Sequence, residues 1–256
     1  MFVIFQIKMR IRQILTVLII FSGMMTYGQT QVMIRARAKD AKFIGTSIGG
    51  AKIIIRDVLT GDILAQGVTS GSTGNTEKIV KQPQKRYEQV SEESTAGYLA
   101  ELDISEPVFV EISAYAPISK KQARVKSSVE LWLFPGRDIT GDGVVLEIPG
   151  FIVDILSPQT HEQVSNTDAV GIKANIVMMC GCPVEEGGTW DSEGFMIRGI
   201  VESEDFHKEF DLKQTEKAST FFSELTLKKG YYTITVYAFD PKTGNSGLDK
   251  TTLVVR

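Results

Sequence analysis

The chain has 256 residues, a formal net charge of −3, 43% hydrophobic residues, two Cys and two His. Two Cys exclude a disulfide-dense scaffold and two His exclude a multi-cluster metal protein. The mild acidity argues against nucleic acid or an anionic membrane surface as the main partner, and the length suits one or two domains whose cores need no staples.

Lys8, Arg10 and Arg12 precede an uncharged apolar run, Ile14 to Phe21, and the softer stretch that follows ends in Thr26-Tyr27-Gly28-Gln29. That order reads as a secretory signal over residues 1–28, cut after Gly28. A retained anchor is the competing reading. It needs about 20 apolar residues, and Ile14 to Tyr27 is shorter and breaks at Ser22-Gly23. The expected location is therefore the periplasm, the cell surface or the extracellular space, with membrane attachment only if the signal is kept. The first Cys is Cys180, so no lipid is expected on a processed N-terminal Cys. Removal of residues 1–28 leaves 25 basic against 31 acidic residues.

Beyond the signal, apolar residues alternate with polar ones, the pattern of half-buried strands. Residues 32–38 form the first such run. Residues 51–58 and 63–69 follow, joined through Leu59-Thr60-Gly61-Asp62 as a hairpin. Ser70 to Thr76 reads as a loop, and Lys81 to Thr95 as an exposed polar connection. Strands are expected over 96–102, 108–115, 129–134 and 144–148, with Pro135 to Gly143 as a loop. Pro149-Gly150 marks a boundary. After it come 151–156, the alternations Val170 to Met178 and Phe195 to Val201, and the pair 230–240 and 251–255 around Pro241 to Gly247. No helical stripe is sustained. The expected fold is all-β: two antiparallel β-sandwich domains in tandem, residues 29–149 and 150–256, after the signal peptide.

The C-terminal hundred residues resemble bacterial immunoglobulin-like domains. The resemblance rests on Val153-Asp154-Ile155-Leu156-Ser157-Pro158 and on the alternation Gly230, Tyr232, Ile234, Val236, Ala238, Asp240 before Gly244-Asn245. It implies a corner role for Tyr232, whose hydroxyl would tie back to the backbone. Gly49-Gly50-Ala51-Lys52-Ile53, Thr60-Gly61 and the stretch 67–74 resemble, more loosely, prealbumin-like or carboxypeptidase-regulatory-like sandwiches. Neither resemblance brings a catalytic residue, because such folds host unrelated functions.

The sharpest chemical feature is Met178-Met179-Cys180-Gly181-Cys182-Pro183, expected in a loop at one end of the second sandwich. Three readings stand open. Cys180 and Cys182 form a disulfide over a bent backbone, as export favours. Alternatively, with Met179 and with His161 or His207, they hold copper or zinc. Or they are buried, inert thiols. Asp138 and Asp142 in a Gly-rich loop form a weak calcium candidate, since the full pattern needs more oxygens. Trp190, after Gly187-Gly188-Thr189, is either a binding-surface aromatic or a plug for the core. No nucleophile–His–carboxylate set is recognisable.

The expectation is an exported, non-catalytic binding or scaffolding protein, an accessory component of a bacterial envelope complex with a protein partner. The alternative is a periplasmic copper, zinc or redox protein using the Cys-Gly-Cys-Pro segment, and an enzyme ranks third.

Overall fold

A computed structural model describes residues 29–165 and 169–256. The expected signal, residues 1–28, lies outside the described residues. The first half forms β1 (Thr30–Ala38), β2 (Lys52–Asp57), β3 (Ile63–Val68), β4 (Tyr98–Leu102), β5 (Val108–Ala116), β6 (Val125–Leu133) and β7 (Ile139–Ile148). The second half forms β8 (Phe151–Ser157), β9 (Glu162–Val164), β10 (Val170–Met178), β11 (Met196–Ser203), β12 (Phe206–Asp211), β13 (Lys213–Gln214), β14 (Thr220–Leu225), β15 (Gly230–Phe239) and β16 (Ser246–Val255).

These strands make four sheets, ordered β4-β1-β7 facing β3-β2-β5-β6, then β13-β14-β10-β8 facing β12-β11-β15-β16-β9. The period-two pattern explains the packing. On β1, Val32, Ile34, Ala36 and Ala38 point inward and are buried; on β15, Tyr232, Ile234, Val236 and Ala238 do the same. One hydrophobic cluster runs through both sandwiches without a break, from Val32 in β1 to Val255 in β16.

The ladders are antiparallel with two exceptions. β1 pairs in parallel with β7, and β9 in parallel with β16. In the second sandwich the chain leaves β8 in one sheet and joins the other as β9. That sheet order, with the Tyr232 hydroxyl donating to the Lys228 carbonyl at 2.9 Å, is an immunoglobulin-like sandwich with its expected corner tyrosine.

Two expectations for the first half need correction. Residues 139–143 belong to β7 rather than to a loop. Gly141 and Gly143 have φ of 67° and 69°, and the register with β1 shifts between Val32 and Ile34. A Cβ on Gly143 would fall 2.1 Å from the Met33 carbonyl oxygen, so glycines that looked like loop residues are what let two backbones pair closely here. The connection over 81–95 is also not wholly exposed. A helical turn at Glu77–Lys81 lowers Ile79 onto Phe43 and Val90, forming a small second core.

Candidate functional site

The Cys-Gly-Cys segment follows directly from β10. The Gly181 N–H donates to the Met178 carbonyl at 2.7 Å, and the Met178 N–H to the Cys182 carbonyl at 3.0 Å. Gly181 takes φ of 77°, a conformation that favours glycine. The bend brings the Cα atoms of Cys180 and Cys182 to 5.4 Å, and a disulfide joins the side chains. Cys180 is 1% exposed and Cys182 6%, with Met178 and Met179 buried beside them.

This loop does not face solvent at a free tip. A Cβ on Gly181 would lie 2.8 Å from Cγ2 of Ile48, a residue of the first sandwich. Trp190, 6% exposed, sends its indole Nε1–H to the Asp40 carbonyl, also in the first sandwich, at 2.8 Å. Of the two readings of Trp190, the structure shows the plug. Its anchor loop is stiffened by the Asp191 carboxylate, which accepts from the Gly187 and Glu193 N–H groups at 3.2 and 3.1 Å.

Asn245 supports the same joint. It is fully buried, donates through Nδ2 to the Lys39 carbonyl at 3.1 Å, and accepts from the Gly150 N–H at 2.8 Å. On the flank, the Lys120 ammonium meets the Asp154 carboxylate at 2.7 Å, and Gln122 bonds the same carboxylate. The Asp40 carboxyl sits above the ordinary carboxylate range. Partial desolvation of the carboxyl, on a residue that is exposed as a whole, is the larger cause, and the neighbouring Asp240 carboxylate adds to it.

His161 and His207 lie at the other end of the second sandwich. Phe151 pairs with Met178 beside the cysteines, whereas His161 follows the far end of β8 and bonds Thr252 through Nδ1 at 2.9 Å. His207 pairs with Glu202 at the end of β11, whose opposite end, Met196, pairs with Phe239. The five residue steps of β16 from Gly247, packed on Phe151, to Thr252 alone span about 17 Å. The structure therefore brings Cys180, Cys182 and Met179 together and leaves both imidazoles apart from them. Among the described residues no group of three or more His, Cys, Asp or Glu is gathered as a metal set.

Asp138 and Asp142 are engaged with backbone donors. Asp138 accepts from the Gln31 N–H at 2.9 Å; Asp142 accepts from the Val90 and Ser91 N–H groups at 2.9 and 2.7 Å. Burial raises the Asp142 pKa, but the Ser91 side chain, those two N–H groups and the nearby Arg35 charge outweigh it and hold the carboxyl below its ordinary value. Arg35 is itself buried and donates to the Thr95, Ala96 and Gly141 carbonyls, leaving its Nε unpartnered. Arg35 and Asp142 together pin the 89–96 segment to β1 and β7. Arg35 gave only a weak signal in the sequence, since it alternates within a strand like any outward polar residue.

No family model matches the chain, and no curated protein matches it. Among solved structures, an engineered protein aligns at 16% identity and a TM-score of 0.32, covering 48% of this chain and 24% of its own. The chain thus spans about a quarter of that protein's length. Fibronectin(III)-like modules of Clostridium thermocellum CbhA align at 12% identity and a TM-score of 0.29, covering 80% of this chain and 77% of theirs. A chimeric titin Z1Z2 tandem bearing a fibronectin GRGDS peptide aligns at 11% identity and a TM-score of 0.24, covering 90% and 92%. Overlaps this loose carry no argument, so the immunoglobulin-like assignment rests on the strand order and the Tyr232 corner.

Proposed function

We propose that this chain is an exported, non-catalytic scaffold whose two sandwiches are locked end to end and which holds a protein partner in the bacterial envelope. One observation carries the reading: the segment richest in chemical groups, Cys180 to Trp190, is spent on the joint between the sandwiches. A hinge or an open site at that loop would leave Trp190 and the cysteines accessible, and they are buried. A continuous core across both halves favours a rigid spacer over two beads on a string. The basic and apolar order of residues 1–28 supports export, and a disulfide is at home in an oxidising compartment. No helix among the described residues is long and apolar enough to cross a membrane. The loose prealbumin-like likeness of residues 49–76 fits the same passive role and adds no chemistry to it.

The test is a fractionation followed by capture. N-terminal sequencing of the protein from its native cell should begin at Gln29, and the envelope fraction should contain it. Crosslinking there should recover a defined envelope protein in a fixed ratio. Cytoplasmic protein with an uncut N-terminus would overturn the reading, and so would stoichiometric copper or zinc lost on Cys180→Ser.

A further inference from the structure

From the free edge of the first sandwich we infer that the chain pairs with a second copy of itself, β6 against β6, in antiparallel register centred on Ser128. Self-association through this edge is independent of export and of the scaffold role.

Sheet edges are normally blunted, because unpaired backbone groups invite another strand. The other edges here follow that rule. β4 has five residues, β9 three and β13 two. β3 holds Gly67 and a register shift against β2; β7 holds two positive-φ glycines and its own shift. β8 is interrupted in its pairing with β10, and β12 is six residues of mostly charged or polar character. β6 is guarded only by its two charges, Lys126 and Glu130, and differs from the other edges in length and regularity. It runs nine residues, Val125–Leu133, in unbroken register with β5, without Gly or Pro, and no strand pairs its outer side. Its residues Lys126, Ser128, Val129, Glu130 and Trp132 are exposed.

The sequence of this edge is complementary to itself when reversed. With Ser128 opposite the second copy's Ser128, Lys126 faces the second copy's Glu130, and Glu130 faces its Lys126. On the opposite face, Val125 meets Leu131 and Ser127 meets Val129, each twice by symmetry. Residues of equal parity stay on the same face, so the pairing continues one sheet through a two-fold axis. Opposite charges directly across a ladder are favourable and like charges are not. Within the single chain, Glu130 sits directly opposite Glu111, an unfavourable neighbour, while Glu111 is already served by Lys126 at 2.7 Å. Among the described residues no ion pair is formed by Glu130. The second copy's Lys126, which also meets its own Glu111, places a cation opposite Glu130 and bridges the two carboxylates.

The arrangement also orients the rest of the molecule. β6 starts beside the joint, where Lys120 and Gln122 contact Asp154, and runs away from it. An antiparallel partner therefore points its own joint past Leu133. Strand direction thus sends the two second sandwiches toward opposite ends of the pair.

Charge reversal tests the pairing directly. Sedimentation velocity of the purified protein over a concentration series should show a monomer–dimer equilibrium. Lys126→Glu and Glu130→Lys should each weaken it by about tenfold or more, because each sets like charges opposite one another at two symmetric positions. Both substitutions in one chain restore the opposite pairs and should restore the dimer. Circular dichroism and thermal melting keep a folding defect separate from lost association. As a second measurement, Ser128→Cys should yield a disulfide-linked dimer under oxidising conditions, and Ser127→Cys, displaced from the axis, should not. A monomer at every concentration, a dimer indifferent to the single reversals, or equal crosslinking from both cysteine positions would overturn the inference.

Discussion

The indole Nε1–H of Trp190 in the second sandwich donates to the backbone carbonyl of Asp40 in the first, at 2.8 Å across 150 residues of sequence. A loop whose aromatic could either present a binding surface or plug the core is turned inward. Its aromatic ring fills the end of one core while its polar atom satisfies a carbonyl of the neighbouring sandwich, which is how a buried Trp resolves its mixed character.

The bond and the ring can be separated. Trp190→Phe keeps most of the apolar volume and leaves the Asp40 carbonyl short of one donor, so it should cost about 1 kcal/mol in chemical denaturation. Trp190→Ala also empties the site and should cost about 3–5 kcal/mol. Limited proteolysis should then cut within the 183–195 loop. An Ala variant as stable as the parent would show that the ring is not part of the joint.

Asp40 adds a pH dependence whose sign is fixed. Partial desolvation, then the Asp240 carboxylate, raises its pKa above the ordinary 3.8. A raised folded-state pKa means that its contribution is fully present below the unfolded value and is lost as pH rises through the folded one. At neutral pH the ionised carboxyl therefore lowers stability, by a small amount because solvent screens this exposed residue. Asp40 adopts φ of 57°, which Asn tolerates nearly as well. Asp40→Asn should leave stability near pH 3 unchanged and raise it at neutral pH. A loss of stability at neutral pH would contradict this account.

Much of this fold was legible in the sequence because its strands obey a strict period of two. Val32 to Ala38 and Tyr232 to Ala238 each announce their inward face residue by residue. Tyr232 also announced its corner. Strands such as β12, Phe206–Asp211, were illegible because all but one of their side chains are exposed and carry no alternation. The joint was illegible for a different reason. Asn245 reads as a turn residue, the Asp40 backbone carbonyl carries no sequence signal, and only the approach of two distant segments gives them partners. For the same reason, the sequence placed both histidines in one notional set with the cysteines, although strand direction puts them at opposite ends.

Asp142 gives the opposite pH sign from Asp40. Hydrogen bonds from Val90, from Ser91 and from its hydroxyl overcome burial and hold the carboxyl below 3.8. Its contribution is present above the unfolded value and lost as pH falls through the folded one. Hydrogen exchange at the Val90 and Ser91 amides should accelerate in acid before the rest of the sandwich opens. Asp142→Ala leaves those two N–H groups, on buried residues, without an acceptor and should cost about 2 kcal/mol. Protection of both amides unchanged in the variant would refute the role.

The cysteine segment offers the sharpest separation of backbone from sulfur. The Met178 and Gly181 N–H groups already close the turn, so the disulfide has only a very short ring to constrain. Chain entropy for so small a loop gives about 1–2 kcal/mol. Replacing both Cys180 and Cys182 by Ser should therefore lower stability by about that amount and leave the joint assembled. Gly181→Ala asks more of the fold. It places a Cβ 2.8 Å from Ile48 Cγ2 while holding a non-glycine residue at φ of 77°. The left-handed strain alone costs about 1 kcal/mol, and the contact pushes the loop off the first sandwich. The pair of measurements distinguishes two origins for the joint. If the turn and its packing hold it, Gly181→Ala expose Trp190 to fluorescence quenching and the double Ser variant does not. If the sulfur link holds it, the order is reversed.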